Sequence, residues 1–186
     1  LAVLGMRADI ERAKMRSEET MRHIANIHDS FAGQARAILV AISRIPEVKN
    51  GASTACDAIL SNILQQSPIY TNFGMANERG DVLCSSVPLP RAVNITDRIY
   101  FQNAVKTKDF AIGEYQIGRI TNQPVVVIGY PLQNGGVVFA GISLAWMNDF
   151  AKAEPGLVKS TLTLVDRTGT VLVRHPDSAQ WVGNSI

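Results

Sequence analysis

Apolar and small residues recur at steps of three and four over the first 45 residues, a stretch without proline. The recurring positions are Met6, Ile10, Ala13, Ser17, Met21, Ile24, Ile27 or His28, Phe31, Ala35, Ile38, Ile42 and Ile45. This pattern predicts one helix that extends roughly 60 Å and ends at Pro46. Its apolar seam suits packing first on a partner chain and then on the helix's own domain. Two core helices broken near Gly33 are the alternative interpretation.

Two shorter helices are predicted beyond Pro46, over residues 53–66 and 96–107. Each begins with a residue whose side chain could accept a hydrogen bond from the free N–H groups of the first turn. These candidate caps are Ser53 or Thr54 for the first helix and Thr96 or Asp97 for the second. In the first helix one face is expected to be buried, and it consists of Ala55, Ile59 and Ile63.

Strand-like patterns take over from helical spacing in the middle of the chain. The predicted strands are residues 69–76, 81–86, 111–118 and 124–131, together with the β-branched run that follows Asn134-Gly135. Asn77 and Gly80, between the first two strands, suit a type I turn closed by a left-handed glycine. Asn134-Gly135 marks a second hairpin. Five mostly antiparallel strands with helices segregated to one side predict an α+β layer fold.

The turn pattern of the first hairpin occurs again near the end of the chain. Residues 73–86, FGMANERGDVLCSS, and residues 162–175, LTLVDRTGTVLVRH, share one order of residues. Each has an apolar segment, an Asn or Asp, two further residues, a glycine, one more residue and then Val-Leu. A polar linker with Pro and Gly, residues 151–156, precedes the second copy. We expect a second, similar module to begin there and the chain to end inside it.

Composition and charge narrow the range of functions. The chain has 186 residues and a net charge of +2, with no block of basic residues, which disfavours a nucleic-acid partner. His23, His28 and His175 are scattered, and the sequence has no metal-ligand spacing, phosphate-binding glycine loop or nucleophile elbow. It therefore predicts no enzymatic activity, no catalytic residues, no cofactor and no metal site.

The stretch DRIYFQNAVKTKDFAIGEYQIGRITNQPVVVIGYPL, residues 97–132, carries a recognisable order of residues. Its signature positions are Asp97, Arg98, Tyr100, Phe101, Ala104, Tyr115, Gly118 and Pro131. This order closely resembles the signature of Cache domains, also called PDC domains. These are PAS-like extracytoplasmic sensor modules of bacterial histidine kinases, chemoreceptors and diguanylate cyclases. The whole chain resembles the double-Cache arrangement, in which a membrane-distal module precedes a membrane-proximal one.

The resemblance implies three parts and a location. Residues 1–49 would form a stalk and dimerisation helix, residues 50–152 the distal ligand-sensing module, and residues 153–186 the linker and the incomplete proximal module. The receptor would lie in the inner membrane through flanking segments, with this region in the periplasm as a homodimer. The opening LAVLG is expected to be the end of a membrane anchor, or else vector residue. In an oxidising periplasm Cys56 and Cys84 are expected to form a disulfide, with two buried thiols as the alternative.

The candidate ligand site centres on Arg98. In the first turn of a helix, a guanidinium and free backbone N–H groups would together favour an anion such as a carboxylate. Tyr100, Tyr115 and Tyr130 could each add an aromatic wall with a hydroxyl tip, and a half-buried sheet tyrosine is the alternative for each. Asp97 is assigned to capping the helix.

The resemblance also bears on the kind of ligand. In amino-acid-binding members of the family, aspartates on later strands hold the ligand ammonium, but here Ile117 and Gly141 stand in those regions. Because a buried ammonium without a counter-charge is costly, a small organic anion is expected instead. Arg119 could add a second positive group or lie at a hairpin edge. A ligand-free spacer and dimerisation module, or an intracellular PAS-like cofactor domain, are the alternative functions.

Overall fold

In the computed structural model, which describes residues 2–51, 54–154 and 161–186, the N-terminal helix α1 (Ala2–Ser43) is unbroken. Its side chains are described from Ile10 onward, except at positions 13, 16, 17 and 28. Gly33 lies inside the helix, and a Cβ placed there would meet no atom within 4 Å other than the helix's own neighbouring backbone. The prediction of one continuous helix is confirmed, and the alternative of two helices broken near Gly33 is wrong.

The chain divides into two compact units, Leu1–Ala35 and Arg36–Ile186. Among the described side chains of the first unit, three large apolar ones are more than half exposed: Ile10, Met15 and Met21. The second unit contains the end of α1, where Leu39 and Ile42 are buried, and all the other elements. None of the described helices combines the length and the hydrophobicity that crossing a lipid bilayer requires. The domain limits predicted at residues 49 and 152 stay predictions.

Five antiparallel strands form the main sheet of the second unit, in the order β2-β1-β5-β4-β3. The strands are β1 (Tyr70–Ala76), β2 (Val82–Ser85), β3 (Ala111–Ile117), β4 (Pro124–Pro131) and β5 (Val137–Ser143). The helices of this part are α2 (Pro46–Asn50), α3 (Thr54–Gln65), α4 (Ile99–Thr107) and α5 (Leu144–Ala153). Helix α3 lies against β1 and β2, and α4 lies against β3 and β4. The predicted α+β fold with a five-stranded antiparallel sheet is confirmed.

The core is densest where β4 and β5 pair. Residues 125–128 of β4 and residues 137–140 of β5 are all buried. Valine and isoleucine dominate the first of these runs, and consecutive buried residues are typical of strands covered on both faces. The two runs therefore anchor the sheet that the other strands extend.

The first hairpin turn has the predicted geometry. The Gly80 N–H donates to the Asn77 carbonyl at 2.9 Å, and Gly80 has a φ of 77°. The Asn77 side-chain oxygen accepts from the N–H groups of Arg79 and Asp81, at 2.9 Å each. The type I turn closed by a left-handed glycine is confirmed.

Helix α3 is joined to strand β2 by a disulfide between Cys56 and Cys84, whose Cα atoms are 6.1 Å apart. Both cysteines are buried, and the buried face of α3 is formed by Cys56 and Leu60. The predicted face was wrong at Ala55, which is exposed, because the bonded cysteine turns its own side of the helix inward. Thr54 is the first helical residue, and Ser53 lies outside the described residues.

Helix α4 begins three residues later than predicted. Its N-terminal flanking residue is Arg98, which makes no side-chain capping bond. The prediction that Thr96 or Asp97 caps this helix was wrong, because the Asp97 carboxylate is bonded to Arg119 instead. The sequence reasoning also missed α2 and α5. Helix α5 extends to Ala153 and so includes the first residues of the predicted linker.

A second, two-stranded sheet follows, formed by β6 (Leu162–Val165) and β7 (Val171–His175), with the short helix α6 (Ser178–Trp181) after it. Gly169 has a φ of 84°, so the repeated turn pattern folds as a hairpin here too. Asn148 of α5 ties the hairpin to the main part of the unit. Its amide donates to the Leu172 carbonyl at 3.0 Å, and its oxygen accepts from the Arg174 N–H at 3.1 Å. That this hairpin begins a second module stays a prediction.

Candidate functional site

A small pocket opens between the start of α4 and the turn that joins β3 to β4, residues 118–123. Its apolar wall includes Val93, Ile95, Val125, Val127 and Phe139. Its polar lining residues are Asn72, Arg98, Tyr100, Gln116, Arg119 and Thr121. The cavity volume is about 20 Å³, which is room for about one water molecule. Two arginines and no carboxylate are among the described residues that line it.

Arg98 stands at the N-terminal end of α4 and is half-buried. Over residues 2–51, 54–154 and 161–186, no carboxylate lies within ion-pair distance of its guanidinium. In the same described ranges the backbone N–H groups of Ile99 and Tyr100 have no acceptor. The helix dipole adds partial positive charge at this end. Together these groups favour a negative charge in the pocket.

Tyr100 is buried within the pocket wall, with 3% of its surface exposed. Its ring lies 6.0 Å from the ring of Phe139, centroid to centroid. Burial raises the pKa of the hydroxyl, so Tyr100 stays neutral and can donate a hydrogen bond at physiological pH. Within the described chain the hydroxyl has no partner. A glycine at position 113 lets α4 lie this close, because a Cβ there would come within 3.3 Å of Tyr100 and 2.8 Å of the Val127 carbonyl.

Arg119 lies in the β3–β4 turn and fastens that turn to the start of α4. Its Nη1 donates to the Asp97 Oδ1 and to the Asn94 carbonyl, and its Nη2 donates to the Asp97 Oδ2, each at 2.6 Å. These bonds lower the pKa of Asp97 and raise that of Arg119. Both groups therefore keep their charges over a wider pH range than the free side chains do. Among the residues that the structure describes, the buried Thr121 Oγ1 in the same turn finds no hydrogen-bond partner.

Asn72 of β1 occupies the space that a side chain at position 141 would need. A Cβ on Gly141 would come within 2.8 Å of the Asn72 Oδ1 and 2.5 Å of the Thr71 Oγ1. Asn72 is buried and presents an amide to the pocket, not a carboxylate. Beside Gly141, where the family resemblance predicted that the aspartate of amino-acid-binding members is missing, the pocket thus has a neutral group.

The structure brings together only two of the four predicted ligand residues. Arg98 and Tyr100 line the pocket, but Tyr115 and Tyr130 do not. The Tyr115 hydroxyl lies against Gly183, where a Cβ would come within 2.6 Å of it. Tyr130 is half-buried near the end of β4 and is paired with Val138 of β5.

Three polar lining residues were missed by the sequence reasoning: Asn72, Gln116 and Thr121. Asn72 left a usable signal, because it is a polar residue inside an otherwise buried strand, residues 72–76. Gln116 and Thr121 gave no such signal in the sequence, since polar residues are common at the end of an edge strand and in a turn. Among the described residues there is no group of three or more metal-binding side chains.

Comparisons with known proteins point to one family. The model of the Cache domain family matches residues 6–184. Sporulation kinase D of Bacillus subtilis (strain 168) is 31% identical over 96 residues, which is 52% of this chain and 18% of that kinase. The chain thus spans less than a fifth of the length of this relative.

Two solved structures have a similar fold. The sensor domain of the V. cholerae histidine kinase DctB matches with a TM-score of 0.70 at 17% identity, over 97% of this chain and 71% of that one. The ligand-binding domain of the Pseudomonas fluorescens chemoreceptor CtaA, in complex with L-serine, matches with a TM-score of 0.66 at 21% identity, over 87% and 70%.

Proposed function

Because the chain belongs to the Cache domain family, a non-catalytic sensor fold, we propose that it senses a small organic anion, such as a carboxylate, for a membrane-bound bacterial receptor. The output would be a histidine kinase, a diguanylate cyclase or a chemoreceptor domain. The observation that carries the proposal is the half-buried Arg98, which lines the pocket without a carboxylate partner in the described chain.

The chemistry of the pocket supports an anion over an amino acid. A carboxylate could pair with Arg98, which has no carboxylate within ion-pair distance among the described residues, and could accept from the hydroxyl of Tyr100, which also lines the pocket. An α-ammonium group would meet Asn72 but no carboxylate, and an uncompensated buried charge is costly. The CtaA complex with L-serine makes amino acids the competing ligand class to test.

Binding would require the pocket to open. Its volume of about 20 Å³ is too small for an organic acid with a carbon chain. The β3–β4 turn, residues 118–123, forms one side of the pocket. The side chain of Arg119 connects this turn to Asp97, just before α4. We expect the ligand to select a conformation in which this turn has moved, which is a population shift.

Two contacts could transmit this conformational change from the pocket to other parts of the chain. Beyond the end of α4, Asp109 Oδ1 accepts from Arg36 of α1 at 2.6 Å, so the pocket helix is tied to the stalk helix. On β3, the Tyr115 N–H donates to the Asp166 carboxylate at 2.9 Å, so the strand next to the pocket turn is tied to the second sheet. Burial raises the pKa of Asp166, but its hydrogen bonds from Tyr115, Thr168 and Thr170 outweigh burial and lower it.

In this proposal α1 pairs in parallel with α1 of a second copy in the periplasm, and flanking segments hold the receptor in the inner membrane. Two apolar side chains of the predicted seam, Ile10 and Met21, support the pairing, since they are 57% and 58% exposed. Sedimentation equilibrium of the wild type and of an Ile10→Glu/Met21→Glu variant tests it. We expect a dimer for the wild type and a monomer for the variant.

A ligand-free spacer is the second candidate, and the small cavity favours it. A thermal-melt screen of small carboxylates, amino acids and amines separates the two. A ligand at 100 times its Kd stabilises the folded state by about 2.7 kcal/mol. We expect carboxylates to raise the Tm of the wild type and of Arg91→Ala, an exposed arginine outside the pocket, but not of Arg98→Ala. A flat panel on a well-folded protein contradicts the sensor proposal and supports the spacer.

A further inference from the structure

Asp97 is adjacent in sequence to Arg98 yet pairs with the other pocket arginine. Both of its oxygens accept from Arg119, at 2.6 Å each, in a bidentate arrangement. Asp97 itself does not line the pocket. Its carboxylate therefore acts on the pocket through Arg119 and by charge, without occupying the space that a ligand would use.

The pairing sets the net charge that a ligand would meet. Arg98 and Arg119 are the charged residues among the described lining of the pocket. The charge of Arg119 is compensated by Asp97, and the hydrogen bonds from Arg119 lower the pKa of that carboxyl group further. In the described part of the chain, no carboxylate forms an ion pair with Arg98. One positive charge is thus left for a ligand, not two.

We infer that Asp97 is a specificity-determining residue that restricts the pocket to ligands with a single negative charge. A dianion could satisfy its second charge only by taking Arg119 from Asp97, which would leave that carboxylate without its partner and open the β3–β4 turn. The inference rests on the proposed function, since it names the charge of the ligand at the same site.

The test compares a monoanion with a dianion, and its readout is the change in preference between variants, in which the difference in ligand size cancels. Acetate and malonate are titrated calorimetrically at pH 7 and matched ionic strength into the wild type, Asp97→Asn, Asp97→Glu and Arg98→Ala. We expect the wild type to bind acetate more tightly than malonate. Each unit of charge near the site changes a Kd by roughly five- to tenfold. The acetate-to-malonate preference should therefore shift by that factor toward malonate in Asp97→Asn and stay as in the wild type in Asp97→Glu.

The outcomes separate this inference from the proposed function. If the wild type binds acetate through Arg98 but Asp97→Asn keeps the same preference, Asp97 does not select charge, although the anion site stands. If Asp97→Glu shifts as far as Asp97→Asn, geometry and not charge sets the preference, and the inference fails. If neither anion binds any variant, while melting curves show all of them folded, the anion site fails and this inference fails with it.

Discussion

The disulfide between Cys56 and Cys84 gives the prediction whose size follows most directly from the structure. It closes a loop with a sequence separation of 28 residues. A cross-link of that span stabilises the folded state by about 3.5 kcal/mol, because it restricts the unfolded chain. For a protein of this length, 1 kcal/mol shifts the Tm by about 2 to 4 °C. Reduction should therefore lower the Tm by about 7 to 14 °C.

Urea unfolding, equilibrated with and without dithiothreitol, measures the corresponding loss of about 3.5 kcal/mol in the free energy of unfolding. The double variant Cys56→Ala/Cys84→Ala is the matched control, because it has no bond to reduce, and its midpoint should not respond to the reductant. A thiol count on the untreated wild type establishes that the bond is present. If that count shows no free thiol and the wild-type midpoint is still the same in both conditions, the loop-closure reasoning is refuted.

Three other perturbations test separate parts of the structure. Asp166→Ala removes the carboxylate that accepts hydrogen bonds from Tyr115, Thr168 and Thr170. It should lower the free energy of unfolding, measured in urea, by about 2 kcal/mol. An unchanged midpoint would contradict the role of Asp166 in tying β3 to the second sheet. The folded-state pKa values of Asp97 and Asp166 are lowered. The two ionised carboxylates therefore stabilise the folded state fully above pH about 4, and this contribution is lost as the pH falls below it. Melting curves from pH 6 to pH 2 should show the loss, and it should be smaller in Asp97→Asn. Gly80→Ala should destabilise the folded state by about 1 to 3 kcal/mol, because Gly80 has a positive φ. The control Gly33→Ala should instead stabilise α1 by up to about 1 kcal/mol. Equal effects of the two substitutions on the free energy of unfolding would refute the turn assignment.

Local patterns were enough to predict most of the sheet. The glycine turns at Gly80 and Gly135 have positive φ values, and an Asn-Gly pair between β-branched runs is informative without any long-range contact. The regular spacing of apolar residues along α1 likewise predicts a helix from neighbouring residues alone. These elements could be predicted because the residues that determine them are neighbours in sequence.

The start of α4 could not be predicted in the same way. Asp97 has the chemistry of a helix cap, but Arg119, 22 positions away, takes both of its oxygens. The buried face of α3 was misplaced for a similar reason, because the partner that fixes it is Cys84 in β2. Tyr115 matches the family pattern in sequence, yet its hydroxyl lies against Gly183 of the last segment. Each error comes from a contact between distant parts of the chain.

Binding of a small organic anion at the pocket beside Arg98 is the feature on which the proposed function depends. Hydrogen–deuterium exchange with and without the most stabilising acid from the melting screen tests it most directly. We expect slower exchange at the start of α4, residues 98–102, and a changed rate in the β3–β4 turn, residues 118–123, with neither effect in Arg98→Ala. Protection confined to segments outside the pocket, or equal protection in Arg98→Ala, would contradict it.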